Sequence, residues 1–444
     1  MVSEDLSEFY CTVCSENEIK INPHVLQVLQ ETTETENVTL KLSGSHHLRD
    51  VQRLDDQDIL ALSKCLINNK RVTGLDLRYN NITDEGVGHL AELIQEESLA
   101  LRSLDLTLND FQKNGAEVLA KSLECNSTLL SLRLSGNKME SRGAMQLASS
   151  LQVNNTLQEL QLADCNLDTQ SVIAFSIVLK SNRTLLSVDI SRPLLFSLQE
   201  EWAVHFSDML ALNSSLVELH LGKMGLSDTG MERLTEGLRQ NHGLRYLDLR
   251  CNRVTRDGVR FLAGLLKQNP SLEVIDLSSN RIEDVGAMYL SEAVALPGCS
   301  LRELSVCSNN IGRKGLLSLA HSLAVSKTLS HLYIWGNLLE EPVCQAFREL
   351  TSSGRLPAEQ TDVSAYEVDG RVFLAEVFQR LRKHYIRTNC SETDTSTTSN
   401  TAAEPFKKHA SSTDSNFPPH TSEQRVPLQS NLKPPHTHQH PNRL

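Results

Sequence analysis

From Leu244 to Ser271 the chain reads LRYLDLRCNRVTRDGVRFLAGLLKQNPS. Leu244, Leu247 and Leu249 place apolar side chains on one side of a short extended segment, while Tyr246, Asp248 and Arg250 point the other way. From Arg256 the apolar spacing widens to Val259, Phe261, Leu262, Leu265 and Leu266, the one-sided stripe of an amphipathic helix with Thr255 as its N-cap. Strand, turn and helix make a unit of 28 residues. Neither face of such a unit can be buried alone, so a copy must cover each side.

Copies are present. Units begin at Val72, Leu101, Leu129, Leu157, Leu185, Leu216, Leu244, Leu272, Leu301 and Leu329, at spacings of 28 to 31 residues. Chance alternation of leucines would not hold that period over so long a stretch. A first, stretched unit starts at Val38, Leu40 and Leu42, with a helix predicted from Asp56 to Leu66. Before it, in residues 1–36, Asn22, Pro23 and the spacing of Val25, Leu26, Val28 and Leu29 predict one capping helix. After Leu350, two alternating segments around Asp369-Gly370 predict a hairpin. Phe373, Val377, Phe378 and Leu381 predict a terminal helix whose last turn, with Arg380, Arg382 and Lys383, suits the helix dipole. The expected organisation is therefore an N-terminal cap at 1–36, repeats at 37–350 and a hairpin-and-helix cap at 351–387. Residues 388–444, rich in Ser, Thr, Pro and His, are expected to be a disordered tail.

The unit from Leu185 to Ser215 is longer than its neighbours and reads SRPLLFSLQEEW where a turn is due. Its apolar residues Leu194, Leu195, Phe196 and Trp202 are expected in the core of a rearranged repeat, an exposed ridge being the other reading.

The pattern LxxLxLxxN with a later Gly resembles the ribonuclease-inhibitor subclass of leucine-rich repeats. The Asn position holds Asn80, Asn109, Asn137, Asn252, Asn280, Asn309 and Asn337; the Gly position holds Gly86, Gly115, Gly143, Gly230, Gly258, Gly286 and Gly315. Cys165, Pro193 and Met224 depart from the first, Ser171 and Val343 from the second. The resemblance implies an α/β solenoid, a horseshoe with parallel strands on the concave side and helices on the convex side. A buried amide at the turn would serve backbone groups left unpaired as the chain leaves the sheet, and Gly would let helix and strands approach closely. With the C-terminal stretch AYEVDGRVFLAEV, the resemblance also implies a regulatory, non-catalytic intracellular protein with cytoplasmic and nuclear pools, a nucleolar one among them.

Charge narrows the partner. Lys and Arg number 43 against 55 Asp and Glu, a net charge of −12. The tail is balanced, Glu392, Asp394, Glu404, Asp414 and Glu423 facing Lys407, Lys408, Arg425, Lys433 and Arg443, so the excess lies on the part expected to fold. An acidic surface repels nucleic acid. The N-terminus is acidic where a secretory leader is basic, and no apolar run approaches the roughly 18 residues of a membrane span. Ten scattered cysteines suit reduced thiols. Asn81, Asn126, Asn182, Asn213 and Asn389 begin Asn-X-Ser/Thr, but most read as turn residues rather than glycan sites.

No phosphate loop is present, Gly222-Lys223 lacking its partner glycine, and no GxSxG or HExxH motif occurs, so no enzyme is expected. Cys11 and Cys14 have metal-ligand spacing, yet one pair gives two ligands where structural zinc needs four; His436, His438 and His440 are expected to be solvated. No metal or other cofactor is expected.

What remains is a surface. Ten strands about 4.8 Å apart make a face on the order of 40 Å long. Its central column reads Asp76, Asp105, Arg133, Gln161, Asp189, His220, Asp248, Asp276, Ser305 and Tyr333. The expected partner-binding residues are Tyr246, Asp248, Arg250, Asp276, Glu303, His331, Tyr333 and Trp335: aromatic anchors ringed by acid, suited to a protein with a basic patch, bound by a monomer. The rival expectation is a GTPase-activating protein, because some members of this repeat class stimulate a nuclear-transport GTPase, with Arg78 or Arg250 completing the partner's site. Those members carry an acidic C-terminal region, which this tail lacks.

Overall fold

The computed structural model describes residues 5–32, 37–45, 51–96, 100–195, 200–268, 271–382 and 384–386, all within one unit spanning residues 1–394. The expected disordered tail, with His436, His438 and His440, lies outside the described residues, as does Phe196.

The strands are β1 (Val38–Lys41), β2 (Val72–Asp76), β3 (Ser103–Asp105), β4 (Ser131–Arg133), β5 (Glu159–Gln161), β6 (Ser187–Asp189), β7 (Glu218–His220), β8 (Tyr246–Asp248), β9 (Val274–Asp276), β10 (Glu303–Ser305) and β11 (His331–Tyr333). They form one parallel sheet of 11 strands in sequence order. Between them run α3 (Asp56–Leu66), α4 (Asp84–Gln95), α5 (Lys113–Cys125), α6 (Glu140–Ser150), α7 (Thr169–Leu179), α8 (Glu201–Leu212), α9 (Asp228–Leu238), α10 (Arg256–Leu266), α11 (Glu283–Val294) and α12 (Arg313–Val325), with α13 (Glu341–Ser352) after β11. This is the solenoid that the period predicts, with the parallel strands and alternating helices that the leucine-rich repeat resemblance implies. The central residues Leu104, Leu132, Leu160, Val188, Leu219, Leu247, Ile275, Leu304 and Leu332 are direct neighbours in register. All are buried against the helices. Truncating any one to Ala would cost about 2–5 kcal/mol.

Turn asparagines connect the repeats. Asn109 Nδ2 donates to the Leu77 carbonyl at 2.9 Å and to the Leu106 carbonyl at 3.0 Å, while its Oδ1 accepts from Ile82 N at 3.2 Å. Asn80, Asn137, Asn252, Asn280, Asn309 and Asn337 bond to carbonyls of their own and the preceding turn in the same way. Cys165 reaches the Leu134 carbonyl with its thiol.

A second asparagine ladder, at the helix ends, was not foreseen as such. Asn126, Asn154, Asn182, Asn213 and Asn241 each donate to a carbonyl of the preceding repeat and accept from the backbone N–H of the leucine that opens the next strand. All are buried, which gives Asn126, Asn182 and Asn213 a structural reason for being asparagine.

Glycine's role differs from the expected approach to the strands. A Cβ at Gly86, Gly115 or Gly258 would stand 2.4, 2.7 or 2.5 Å from a carboxylate oxygen of Asp56, Asp84 or Asp228. These aspartates sit at the N-termini of α3, α4 and α9; Asp56 and Asp228 accept from the backbone at Thr83 and Gly86, and at Thr255 and Gly258. Glycine therefore permits helix-to-helix contact between successive repeats.

The long unit resolves unevenly. Trp202, on α8, is buried edge-on to Phe206 at 5.9 Å, Leu195 packs half-buried against the core, and Leu194 is exposed. The core reading thus holds for Trp202 and fails for Leu194.

The N-terminal cap has two helices rather than one, α1 (Leu6–Glu16) and α2 (Pro23–Glu31). Asn22 caps α2 by accepting from His24 N, and its Nδ2 donates to Asp58 Oδ2 at 2.8 Å, tying the cap to α3. At the other end β12 (Val363–Val368) and β13 (Arg371–Glu376) form the expected antiparallel hairpin. Asp369 and Gly370 have φ of 50° and 74°, the left-handed pair such a tight turn needs. The predicted terminal helix is absent. Phe373 lies in β13, residues 377–382 carry no helix, and Phe378 is 89% exposed. The pairing that Asp369-Gly370 dictates outcompetes the helical spacing.

Candidate functional site

The outward positions on the strands form two acidic stretches. On β2 to β5, Asp76, Asp105 and Glu159 share two arginines: Arg78 Nη2 is 2.8 Å from Asp76 and its Nε 3.6 Å from Asp105, while Arg133 Nε is 3.0 Å from Glu159. On β7 to β10, Glu218, Asp248, Asp276 and Glu303 are all buried, with one cation among the strand residues, His220.

His220 lies between two of those acids, Nε2 at 2.6 Å from Glu218 and Nδ1 at 3.2 Å from Asp248. Neither neighbour can donate when ionised, so both ring nitrogens must, and the ring is an imidazolium. Burial opposes that charge, but the hydrogen bonds to Asp248 and Glu218 outweigh it and push the imidazole up to about 10. Burial would raise Glu218, yet hydrogen bonds and charge from His220 and His384 hold it down at about 2. Asp248 is also lowered, burial being overcome by His220 and then Arg250, whose Nε is 3.0 Å away. Asp276 goes the other way, raised by burial and by the neighbouring Asp248 charge.

The chain's own C-terminal segment crosses this strip. The Arg382 guanidinium pairs with Glu303 on β10, and its carbonyl accepts from the Tyr246 hydroxyl on β8 at 3.0 Å. His384 Nδ1 lies 3.0 Å from Glu218 on β7, and its Nε2 lies 3.4 Å from Gln161 Nε2 on β5. Glu218 also accepts from Tyr385 N and Ile386 N at 3.1 and 3.3 Å, and the Tyr385 hydroxyl donates to Glu273 at 2.9 Å.

The sequence-derived site is thus placed outward, as its register requires, but it is not open. Tyr246, Asp248, Asp276, Glu303 and Tyr333 are buried, His331 and Trp335 are half-buried, and Arg250 is exposed. The anticipated pair of free aromatic anchors is corrected by the cap. Asp362 accepts from Ile334 N at 2.9 Å and Trp335 N at 3.0 Å, and Trp335 packs against the core. Glu218, Glu273, His384 and Tyr385 escaped the sequence reading, and His220, though placed in the central column, was not counted among the binding residues. The available signal was the basic run RLRKH set against an acidic column.

Glu218, His220 and His384 bring ligand atoms within 4.8 Å of one another, but both nitrogens of His220 already hold carboxylates, so a proton fills the place a metal would take. Cys14 is buried beside Tyr10, and burial pushes its thiol up, away from the thiolate a metal needs. Among the described residues no helix is long and apolar enough to cross a membrane.

The Leucine Rich repeat family model matches residues 68–91, 100–120, 125–148, 153–176, 240–263, 268–291 and 299–320. The mouse leucine-rich repeat-containing protein 34 is 44% identical over 388 residues, covering 86% of this chain and 93% of the mouse protein. The chain belongs to the leucine-rich repeat-containing protein 34 family. The human member is 48% identical over 390 residues, covering 86% of this chain and 84% of its own length. Among solved structures, an internalin from Listeria monocytogenes matches 81% of this chain and 95% of its own at a TM-score of 0.40 and 15% identity. The leiomodin-1 actin-binding site 2 matches 35% and 88% at a TM-score of 0.30 and 22% identity.

Proposed function

We propose that this family member is a non-catalytic, regulatory scaffold that binds a protein partner on its concave face over β7 to β10. Charge carries the reading. Four buried carboxylates, Glu218, Asp248, Asp276 and Glu303, line this strip; His220 pairs with Glu218 and Asp248, Arg250 with Asp248, and Arg382, from outside the sheet, with Glu303. A rigid strip of this kind favours a basic partner and repels phosphate backbones. The GTPase-activating alternative gains no support, because Arg78 and Arg250 are already paired with Asp76 and Asp248, at 2.8 and 3.0 Å. The chain is proposed to act as a monomer in cytoplasmic and nuclear pools, which fractionation checks.

The test is capture by the full chain with two isosteric changes, Glu273→Gln and Glu303→Gln, against a convex control, Met145→Ser with Met288→Ser. A partner lost with the first pair, kept with the second and unaccompanied by a change in melting temperature supports the reading. A partner indifferent to the concave pair refutes it.

A further inference from the structure

The crossing segment makes contacts a foreign ligand would make. Its contacts cross the strands, from Glu303 on β10 to Glu218 on β7. Each polar contact goes to a concave side chain: a guanidinium to Glu303, a ring and two backbone amides to Glu218, a phenol to Glu273. Among the described residues, little else anchors it. After Val377 N donates to the Asp362 carbonyl and Gln379 N to Val377, Phe378 is left in solvent. A segment held by charge and hydrogen bonds, without an apolar anchor of its own, exchanges readily with another of the same chemistry.

We infer that the acidic strip is a peptide site filled in cis by the chain itself, and that its partner presents an extended basic segment of the form Arg-X-His-Tyr, which must displace the strap to bind. This deepens the scaffold reading and rests on it. The strap has the advantage of tethering, an effective concentration on the order of millimolar, so a partner segment of equal intrinsic affinity binds the closed chain weakly. Anything that lifts the strap raises the partner's apparent affinity without adding a contact.

The test uses the full chain and a fluorescein-labelled peptide, FQRLRKHYIRTN, which repeats residues 378–389. The wild-type chain should bind it weakly by fluorescence anisotropy. The strap variant Arg382→Ser, His384→Ser and Tyr385→Ser should bind about tenfold tighter or more, and adding Glu273→Gln and Glu303→Gln should abolish the gain. On wild-type chain, excess unlabelled peptide should speed hydrogen exchange at Tyr385 and Ile386 while β7 to β10 keep their protection. No gain in the strap variant, together with unchanged exchange in the wild type, overturns the inference. So does a wild-type dimer by sedimentation that the strap variant does not form, because the segment then belongs to a neighbour's face. If capture still depends on Glu273 and Glu303 while the peptide never binds, the strap inference falls alone. If both fail, the scaffold reading falls with it.

Discussion

Removing His220 should destabilise the middle of the array more than its size suggests. His220→Ala deletes the imidazolium between Glu218 and Asp248 and leaves both carboxylates in place, each about 1% exposed. Breaking a buried ion pair by deleting one partner costs about 3–5 kcal/mol. Here the survivors keep some compensation: Glu218 retains His384 at 3.0 Å and two backbone amides, and Asp248 retains Arg250 at 3.0 Å. The loss should therefore fall near the lower end, about 3 kcal/mol. The triple change His220→Leu, Glu218→Gln and Asp248→Asn removes the charges together and should lie within about 1 kcal/mol of wild type. pH separates this from a packing defect. His220, raised from its usual 6.5 to about 10, stabilises fully below 6.5 and ceases to do so as pH rises through 10. Glu218, lowered from 4.5 to about 2, stabilises above 4.5 and loses that contribution as pH falls towards 2. Urea unfolding of the wild type should thus weaken from pH 6.5 to 10, and His220→Ala should flatten that slope. A cost below about 1 kcal/mol, or an unchanged slope in the variant, would refute the imidazolium.

Three further outcomes follow from the repeat geometry. Asn280→Ala orphans the buried Val254 amide, while the Leu249 and Leu277 carbonyls lose one donor each and keep Asn252 and Asn309; it should cost about 1–3 kcal/mol, read by urea titration. Gly258→Ala, whose Cβ meets Asp228 at 2.5 Å, should lower the melting temperature, whereas Gly264→Ala, with open space around it in α10, should gain about 0.5–1 kcal/mol. A chelator should leave the melting temperature unchanged, since Cys14 is a protonated core thiol; a fall with EDTA would restore the Cys11 and Cys14 site.

The repeat was legible because two periods alternate in the sequence, and leucine at the strand centre cannot leave the core without reversing the strand. Turn amides were legible for the same reason: Asn80 and its equivalents recur at a fixed offset. The helix-end amides carry an equally regular offset, but Asn126 and Asn182 also read as ordinary turn residues. What the sequence hid was contact between distant parts. Tyr246 and Tyr333 have outward register, and only the folded chain reveals that a strap meets Tyr246 and that a cap holds the backbone of Ile334 and Trp335 beside Tyr333. The basic run at Arg380 to His384 was read as a helix end because charge alone does not distinguish a dipole from an acidic sheet 79 to 166 residues earlier in the chain.

The two asparagine ladders are staggered, and this sets how force and heat travel through the solenoid. Turn amides are missing at Cys165, Pro193 and Met224, between Asn137 and Asn252. Over that gap the helix-end series at Asn154, Asn182, Asn213 and Asn241 is unbroken. The array therefore resembles brickwork, in which a joint in one course is covered by the next. A fracture in the middle must break the helix-end course alone, whereas one near Asn126 must break both. Under pulling, the weak plane lies around Asn182 and Asn213, and the strap from Gln161 to Glu218 lies across it, so release of the strap would loosen the array at the place where it is already thinnest.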